Sequence, residues 1–200
     1  MRGDFFGARL AMTKSELRRS FLALELSASV REAAGSAAQD RLLSLPAFAR
    51  ASSVQLFAAL RSEPSTEPLF ERARAAGQRV AFPGYAESDG APELRELVAL
   101  DQLARGRHGF LQPPGGPKVP VASIDLFVVP GLAFDRRGHR LGRGRGYFDR
   151  LLAERRPDSL AVGLCFDHSI VELLPDEIHD APVDCVASPS ELFWAPGRER

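Results

Sequence analysis

The sequence predicts an α/β fold: three layers, a largely parallel sheet between helices on both faces. Three observations predict it. Short apolar runs of strand length alternate with stretches of helical spacing. Ser53 to Ala59, a helical stretch from Pro68 to Ala76 stopped by Gly77, and Arg79 to Phe82 before Pro83 read together as β-α-β. Composition is the third: 44% hydrophobic and 26% charged residues in 200 suit one good-sized core, so disorder is not the default.

The remaining elements follow in chain order. Thr13-Lys14-Ser15-Glu16 fits a capping box, with Leu17, Phe21 and Leu24 then recurring at helical spacing. A helix is expected from about Lys14 into the thirties, and a second from Ser36 to Leu45, stopped by Pro46. Gly84 to Pro120 reads as irregular chain, because Pro92, Pro113, Pro114, Pro117 and Pro120 interrupt it. Leu126 to Val129, Leu160 to Phe166 and Val183 to Ala187 read as further strands. Trp194 and the charged tail carry no reading.

Composition also excludes function classes. Lys+Arg and Asp+Glu each count 26, a net charge of +0. That removes any bulk electrostatic case for nucleic acid or an acidic membrane. Cys165 and Cys185 are too few and too far apart for a disulfide framework or zinc site, and are expected as reduced buried thiols. No apolar run reaches transmembrane length, and no secretory signal opens the chain. The expectation is a cytoplasmic monomer of one domain, 1–200, with residues 1–12 a flexible tail, acting on small molecules. His108 reads as a surface histidine and His179 as incidental.

The stretch Asp125 to Arg150, DLFVVPGLAFDRRGHRLGRGRGYFDR, says most about function. Pro130 cannot donate to a ladder, so the strand should end there. A glycine- and arginine-rich loop follows, and Tyr147, Phe148, Leu151 and Leu152 then open a helix. Gly142, Gly144 and Gly146 would let a ligand approach main-chain N–H groups near that helix's start, a setting that favours an anion. Arg136, Arg137, Arg140, Arg143, Arg145 and Arg150 add guanidinium forks suited to phosphate or carboxylate. Asp149 could hold Mg²⁺ beside bound phosphates.

Competing readings are weaker. The loop lacks the terminal Lys-Ser/Thr of a P-loop. It stands too far from its strand for the dinucleotide fingerprint, and no aromatic platform for nucleic acid interleaves with it. An exposed turn with solubilising arginines is the plainer alternative; a phosphate-ligand site ranks above it.

The ordered run PGLAFDRRGHRLGRGRGYFDR resembles the signature of the 5-formyltetrahydrofolate cyclo-ligase family. Resemblance extends more weakly from Thr13 to Leu192, and implies the following. Lys14 and Arg18 match an opening K-x-x-L-R that serves ATP phosphates. The triphosphate would also meet Arg140, Leu141 and Phe148 and the whole 142–146 loop, namely Gly142, Arg143, Gly144, Arg145 and Gly146, with Tyr147. Glu63 and Ala58 would contact the folate, together with Arg143, Gly144, Arg145, Gly146 and Tyr147. Arg143, Arg145 and Tyr147 would carry catalysis, and Asp149 with Asp180, from LPDEIHDAPVDCVAS, would hold Mg²⁺.

The implied reaction is ATP-dependent closure of 5-formyltetrahydrofolate to 5,10-methenyltetrahydrofolate through a phosphorylated formyl group. No protein nucleophile is needed, in keeping with a sequence that offers no convincing Ser/His/Asp or Cys/His arrangement. Three departures stand out: Gln112 where the family has Glu, Phe148 where many members have a second Tyr, and His168 near an expected Gln. Phe148 keeps the ring and reads as tolerated; Gln112 and His168 leave open a kinase or ligase on the same scaffold with another substrate, and a non-catalytic nucleotide- or folate-binding protein stays open because a fold can outlive its chemistry.

Overall fold

The computed structural model describes residues 12–85, 92–106 and 109–199. Residues 1–11 of the expected tail 1–12, and His108, lie outside them. Helices α1 (Lys14–Leu22), α2 (Ala28–Leu43) and the short α3 (Pro46–Arg50) precede β1 (Ser53–Gln55), α4 (Glu67–Ala75) and β2 (Arg79–Gly84). Next come β3 (Glu93–Glu96), β4 (Ala104–Arg105), β5 (Leu111–Gln112) and β6 (Leu126–Val129). After these stand β7 (Ala133–Asp135), β8 (Arg140–Leu141), α5 (Tyr147–Ala153) and β9 (Leu160–Leu164). The chain closes with β10 (Ile170–Val171), β11 (Cys185–Ala187) and β12 (Leu192–Trp194).

The main sheet has seven strands in the order β12-β11-β9-β6-β1-β2-β3. Its inner strands are parallel, with β1 pairing β2 through Ser53↔Arg79 and β6 through Val54↔Leu126. Antiparallel β3 and β12 close the two edges. One face is covered by Ala38 and Leu42 of α2, Phe48 of α3, and Leu69, Phe70 and Ala73 of α4, packed on Val54, Val80, Val128 and Val162. On the other face Leu151 and Leu152 of α5 pack with Phe127, Val129, Ala161 and Val186. Alternate residues of one strand thus serve opposite layers, as the strand period requires. Both cysteines are free and buried.

The expected β-α-β unit is present, and the capping box holds: Glu16 N donates to Thr13 Oγ1 at 3.3 Å, and Thr13 N to Glu16 Oε2 at 2.8 Å. Elsewhere the structure differs from expectation. The first helix ends at Leu22 and a new one starts behind Ser27, whose hydroxyl accepts from Val30 N. Leu17 and Phe21 pack on Leu132, Ala133 and Leu141, away from the main sheet that α2 covers, so one straight helix could not bury both faces. Leu24 lies in the link and is 42% exposed. Met12, expected in the tail, packs beside this cluster. Pro46 starts α3 rather than ending a helix, since a first-turn residue needs no N–H partner.

β2 runs through Pro83, because the β1 ladder ends at Ala81 and only β3 pairs beyond it. Gly84 to Pro120 is not wholly irregular: it holds edge strand β3 and the β4–β5 hairpin. The chain after Pro130 likewise forms a hairpin, β7–β8, which with β10 makes a separate three-stranded sheet. Asp135, fully buried, ties this sheet together. It accepts from Arg137 N at 2.9 Å, His139 N at 3.0 Å and Leu174 N at 3.1 Å, and from the Arg137 guanidinium.

Phe134 docks the small sheet onto the main one. A Cβ on Gly163 of β9 would stand 2.6 Å from its ring, and one on Gly131 2.7 Å. Two glycines therefore make the slot for one aromatic side chain. Gly163→Ala should destabilise the protein by about 1–3 kcal/mol through overpacking. Urea unfolding checks this, a loss confined to the midpoint at unchanged slope being expected.

Candidate active site

β1 sits where the topology reverses: the chain leaves it toward β2 on one side and returns to β6 on the other. Crevices open beyond the carboxyl ends of strands at such a point. Here the crevice is a cleft of about 290 Å³. Phe57, Ala58 and Glu63 line it from the chain after β1, Pro83 and Tyr85 from the end of β2. Pro130, Gly131 and Leu132 line it after β6, and the far wall is the run from Arg140 to Asp149, less Leu141 and Gly144.

That wall is bent by glycine. Gly144 has φ 97° and Gly146 φ 62°, both in the left-handed region that favours glycine. Gly146 is also the N-cap of α5, a helix of only seven residues. Arg18 Nε donates to Gly142 O at 2.9 Å, and its guanidinium lies 3.5 Å from the Cβ position of Gly144. One face of α1 thus clamps the loop, as the Lys14–Arg18 spacing allows. Arg145 is exposed on the cleft wall, and its carbonyl accepts from Arg150 NH2 at 3.0 Å.

The six arginines of the stretch do not act together. Arg136 forms a two-pronged pair with Glu191, at 2.6 and 2.8 Å, and lies over Phe193. Arg137 belongs to Asp135 and Asp176. Arg140, its side chain 3% exposed, lies 2.7 Å from Asp149 Oδ1 and also donates to Ala181 O. Only Arg140, Arg143 and Arg145 line the cleft.

Lys14 Nζ lies 2.7 Å from Asp180 Oδ2 and 3.3 Å from Glu177. Desolvation works to raise the Asp180 carboxyl, but hydrogen bonds from Lys14 and Glu177 N hold it below its ordinary range. Neither Lys14 nor Asp180 lines the cleft itself. Leu141 is buried in the α1 cluster, with its carbonyl accepting from Leu132 N, so it roots the loop. Phe148 lines the cleft and packs against both faces of the sheet core.

Among the described residues no group of three or more His, Cys, Asp or Glu side chains forms a metal cage. A cage is not what Mg²⁺ requires beside a polyphosphate: one or two carboxylates suffice. Asp149, on the cleft wall with one oxygen held by Arg140 and Ala181 N, fits that need. On Asp180, Lys14 Nζ and Glu177 N both engage Oδ2.

The opposite wall is apolar with one buried acid. Burial pushes the Glu63 carboxyl up in pKa, while Leu60 N, 2.8 Å from Oε2, and Arg143, 3.7 Å from Oε1, oppose the shift. Arg143 NH2 also donates to Ser62 Oγ at 2.7 Å. Tyr85 stacks obliquely on Tyr147, ring centroids 4.6 Å apart, with Phe110 edge-on at 6.0 Å. Burial pushes the Tyr85 phenol up, keeping it protonated.

Sequence reasoning missed Tyr85 and Phe110. An aromatic residue directly after the second parallel strand was the available signal, since cleft walls begin at such strand ends. Gln112, a departure from the family pattern, supports the wall: its Oε1 accepts from Tyr85 N at 3.0 Å and its amide packs on Gly106. His168 stacks on Phe166 at 5.7 Å, and His179 is exposed beside Glu177.

A family model described as the 5-formyltetrahydrofolate cyclo-ligase family matches residues 11–189. The chain belongs to that family. A 5-formyltetrahydrofolate cyclo-ligase of Escherichia coli K12 is 31% identical over 163 residues, covering 80% of this chain and 90% of that one. One from Mycolicibacterium smegmatis is 31% identical over 186 residues, covering 88% and 94%. The solved 5,10-methenyltetrahydrofolate synthetase of Aquifex aeolicus superposes with a TM-score of 0.81 at 31% identity, covering 94% of this chain and 95% of that one. This chain is accordingly an enzyme of the cyclo-ligase family. Among its described residues no helix is long and apolar enough to cross a membrane.

Burial of Glu63 should make the stability of this fold depend on pH. The Glu63 pKa is raised above the ordinary 4.5, so the folded protein keeps a proton that the unfolded chain loses. Stability should therefore fall as pH climbs from there through the raised value. Glu63→Gln, neutral throughout, should match the parent at about pH 4 and exceed it in denaturant midpoint at about pH 8. Equal midpoints at both pH values would contradict the assignment.

Proposed function

We propose that this protein closes 5-formyltetrahydrofolate to 5,10-methenyltetrahydrofolate with ATP and Mg²⁺, releasing ADP and phosphate. One observation carries the reading. A single cleft has an apolar, aromatic wall with a buried acid, Glu63, facing a glycine-bent loop with Arg143 and Arg145. The first wall suits a flat heterocycle with N–H groups, the second a polyphosphate.

The formyl group is amide-like, so its carbon is a poor electrophile and its oxygen a poor leaving group. Transfer of the γ-phosphoryl group to that oxygen makes an iminium phosphate and ADP. N10 then forms a bond to the carbon, the C–O bond breaks, phosphate departs with its electron pair, and N10 loses its proton. The protein's part is to position and to neutralise charge.

The 142–146 loop would cradle the triphosphate. Arg145, exposed on the cleft wall, would meet charge developing on the phosphoryl group. Arg18 would hold the loop's shape through Gly142, while Lys14 keeps Asp180 in place. Arg140 would aim Asp149, and Asp149 with Asp180 would hold the metal. A bound Mg²⁺ would neutralise phosphate charge during transfer. Glu63, Ala58 and the Tyr85–Tyr147 pair would seat the pterin, Arg143 standing between pterin and phosphates.

Purified protein mixed with 5-formyltetrahydrofolate should show the near-ultraviolet absorbance of the methenyl product only when both ATP and Mg²⁺ are present. No rise from folded, ATP-binding protein overturns the reading. Arg145→Ala should lower kcat by about 10²–10³-fold, the range for losing one preorganised transition-state donor, with a smaller effect on folate KM. A change confined to folate KM would move Arg145 to the substrate side.

A further inference from the structure

We infer that Ser62 is a positioning residue for the transfer step: its hydroxyl holds the Arg143 guanidinium across the cleft, where pterin and triphosphate meet. The inference rests on reading the cleft as the folate and ATP site. Arg143 belongs to the glycine loop, yet its side chain is bound to the other wall. Its NH2 group donates to Ser62 Oγ at 2.7 Å, and its Nε lies 3.7 Å from Glu63 Oε1. Serine and arginine stand 81 residues apart in the chain, so the contact is a tertiary one that bridges the two walls.

The two anchors differ in strength and in fate. At 3.7 Å the Glu63 contact is an ion pair without a close hydrogen bond. Glu63 Oε2 is already taken by Leu60 N at 2.8 Å, so Oε1 is the oxygen open to the N–H groups of a pterin. A bound pterin would therefore draw Glu63 away from Arg143. Ser62 does not line the cleft itself, so a pterin on Glu63 leaves the serine hydroxyl to Arg143.

An arginine between two glycines needs such an anchor. Gly142 and Gly144 leave the backbone on both sides permissive, and a free arginine side chain has large rotamer freedom. Ser62, by contrast, is mounted rigidly. Glu63 N donates to Leu60 O at 2.9 Å and Leu60 N to Glu63 Oε2, closing the turn that carries it. Thr66 Oγ1 donates to Phe57 O at 2.5 Å and Gln39 Nε2 to Ser65 O at 2.7 Å, tying down the rest of the segment. Arg18 and Arg140 cannot take this part, being spent on Gly142 O and on Asp149 with Ala181 O. A guanidinium pinned to a rigid turn is a preorganised donor, and such donors act on charge that develops in the transition state. The anchor should therefore show in kcat rather than in substrate affinity.

Ser62→Ala and Ser62→Thr test this, alone and combined with Arg143→Ala, with melting temperatures showing that each variant is folded. Ser62→Ala should lower kcat for methenyl formation about three- to tenfold while KM for ATP and folate moves by about twofold or less. That loss is smaller than for a buried charged hydrogen bond because the Arg143 side chain is 32% exposed. Ser62→Thr keeps the hydroxyl and should restore the rate. In the Arg143→Ala background Ser62→Ala should cost nothing further, as expected when one residue acts through another. In NMR spectra the side-chain Nε–H signal of Arg143, assigned by its absence from Arg143→Ala, should show restricted motion in the parent and free motion in Ser62→Ala. An unchanged kcat, an equal loss without Arg143, or a change confined to KM overturns the anchor and leaves the cyclo-ligase reading standing. If the parent turns over no 5-formyltetrahydrofolate, the reaction reading fails, and NMR decides the anchor. Restricted motion lost in Ser62→Ala supports it, and a mobile Arg143 in the parent overturns it.

Discussion

The buried contact between Arg140 and Asp149 holds the site together. Arg140 lies at the end of the small-sheet hairpin and Asp149 in the first turn of α5, and both meet the chain at Ala181. Three separate segments therefore converge on one charge pair. Removing one member of a buried pair strands the other and costs about 3–5 kcal/mol, toward the lower end when one partner keeps some exposure. Asp149 keeps 22%. Lys14 and Asp180 repeat the arrangement next door and join α1 to the same loop. The glycine loop between β8 and α5 is thus held at both ends, with Arg18 on its middle.

A parallel sheet leaves its ligands at strand ends, and such ends need walls. This chain builds one wall by inserting a hairpin after β6. The insert would swing freely were it joined only at its ends. Phe134, seated against Gly131 and Gly163, fixes it to the sheet, and Asp135 fixes its turn to the 170s segment. The PGLAFD part of the signature is therefore architecture, and the GRGRGYFD part is the wall itself.

Much of the site was legible because short-range chemistry specifies it. Gly144 and Gly146 do adopt left-handed angles, and Lys14 and Arg18 do share a face that meets the loop and its neighbours. Glu63 does line the cleft. What misled was counting arginines: Arg136 and Arg137 lie in the same run as Arg143, yet Arg136 turns to Glu191 far along the chain, and Arg137 is held between its neighbour Asp135 and the distant Asp176. Charge in a sequence has no direction until packing supplies one. Tyr85 and Phe110 were missed because they sit in a proline-rich stretch that reads as irregular, although β3 and β5 there are paired strands.

Local sequence was enough for the α/β class, the β1-α4-β2 unit, the strand from Leu126 and the anion-suited loop before Tyr147. Each rests on periodicity, on glycine and proline geometry, or on caps within a few residues. Packing in three dimensions was needed to set where α1 ends, to fold the loop after β6 into a second sheet, and to choose which arginines face the cleft. It also set Ser62 against Arg143, 81 residues on. Those outcomes depend on contacts between residues distant in the chain, where burial and partner choice, rather than propensity, set the free energy.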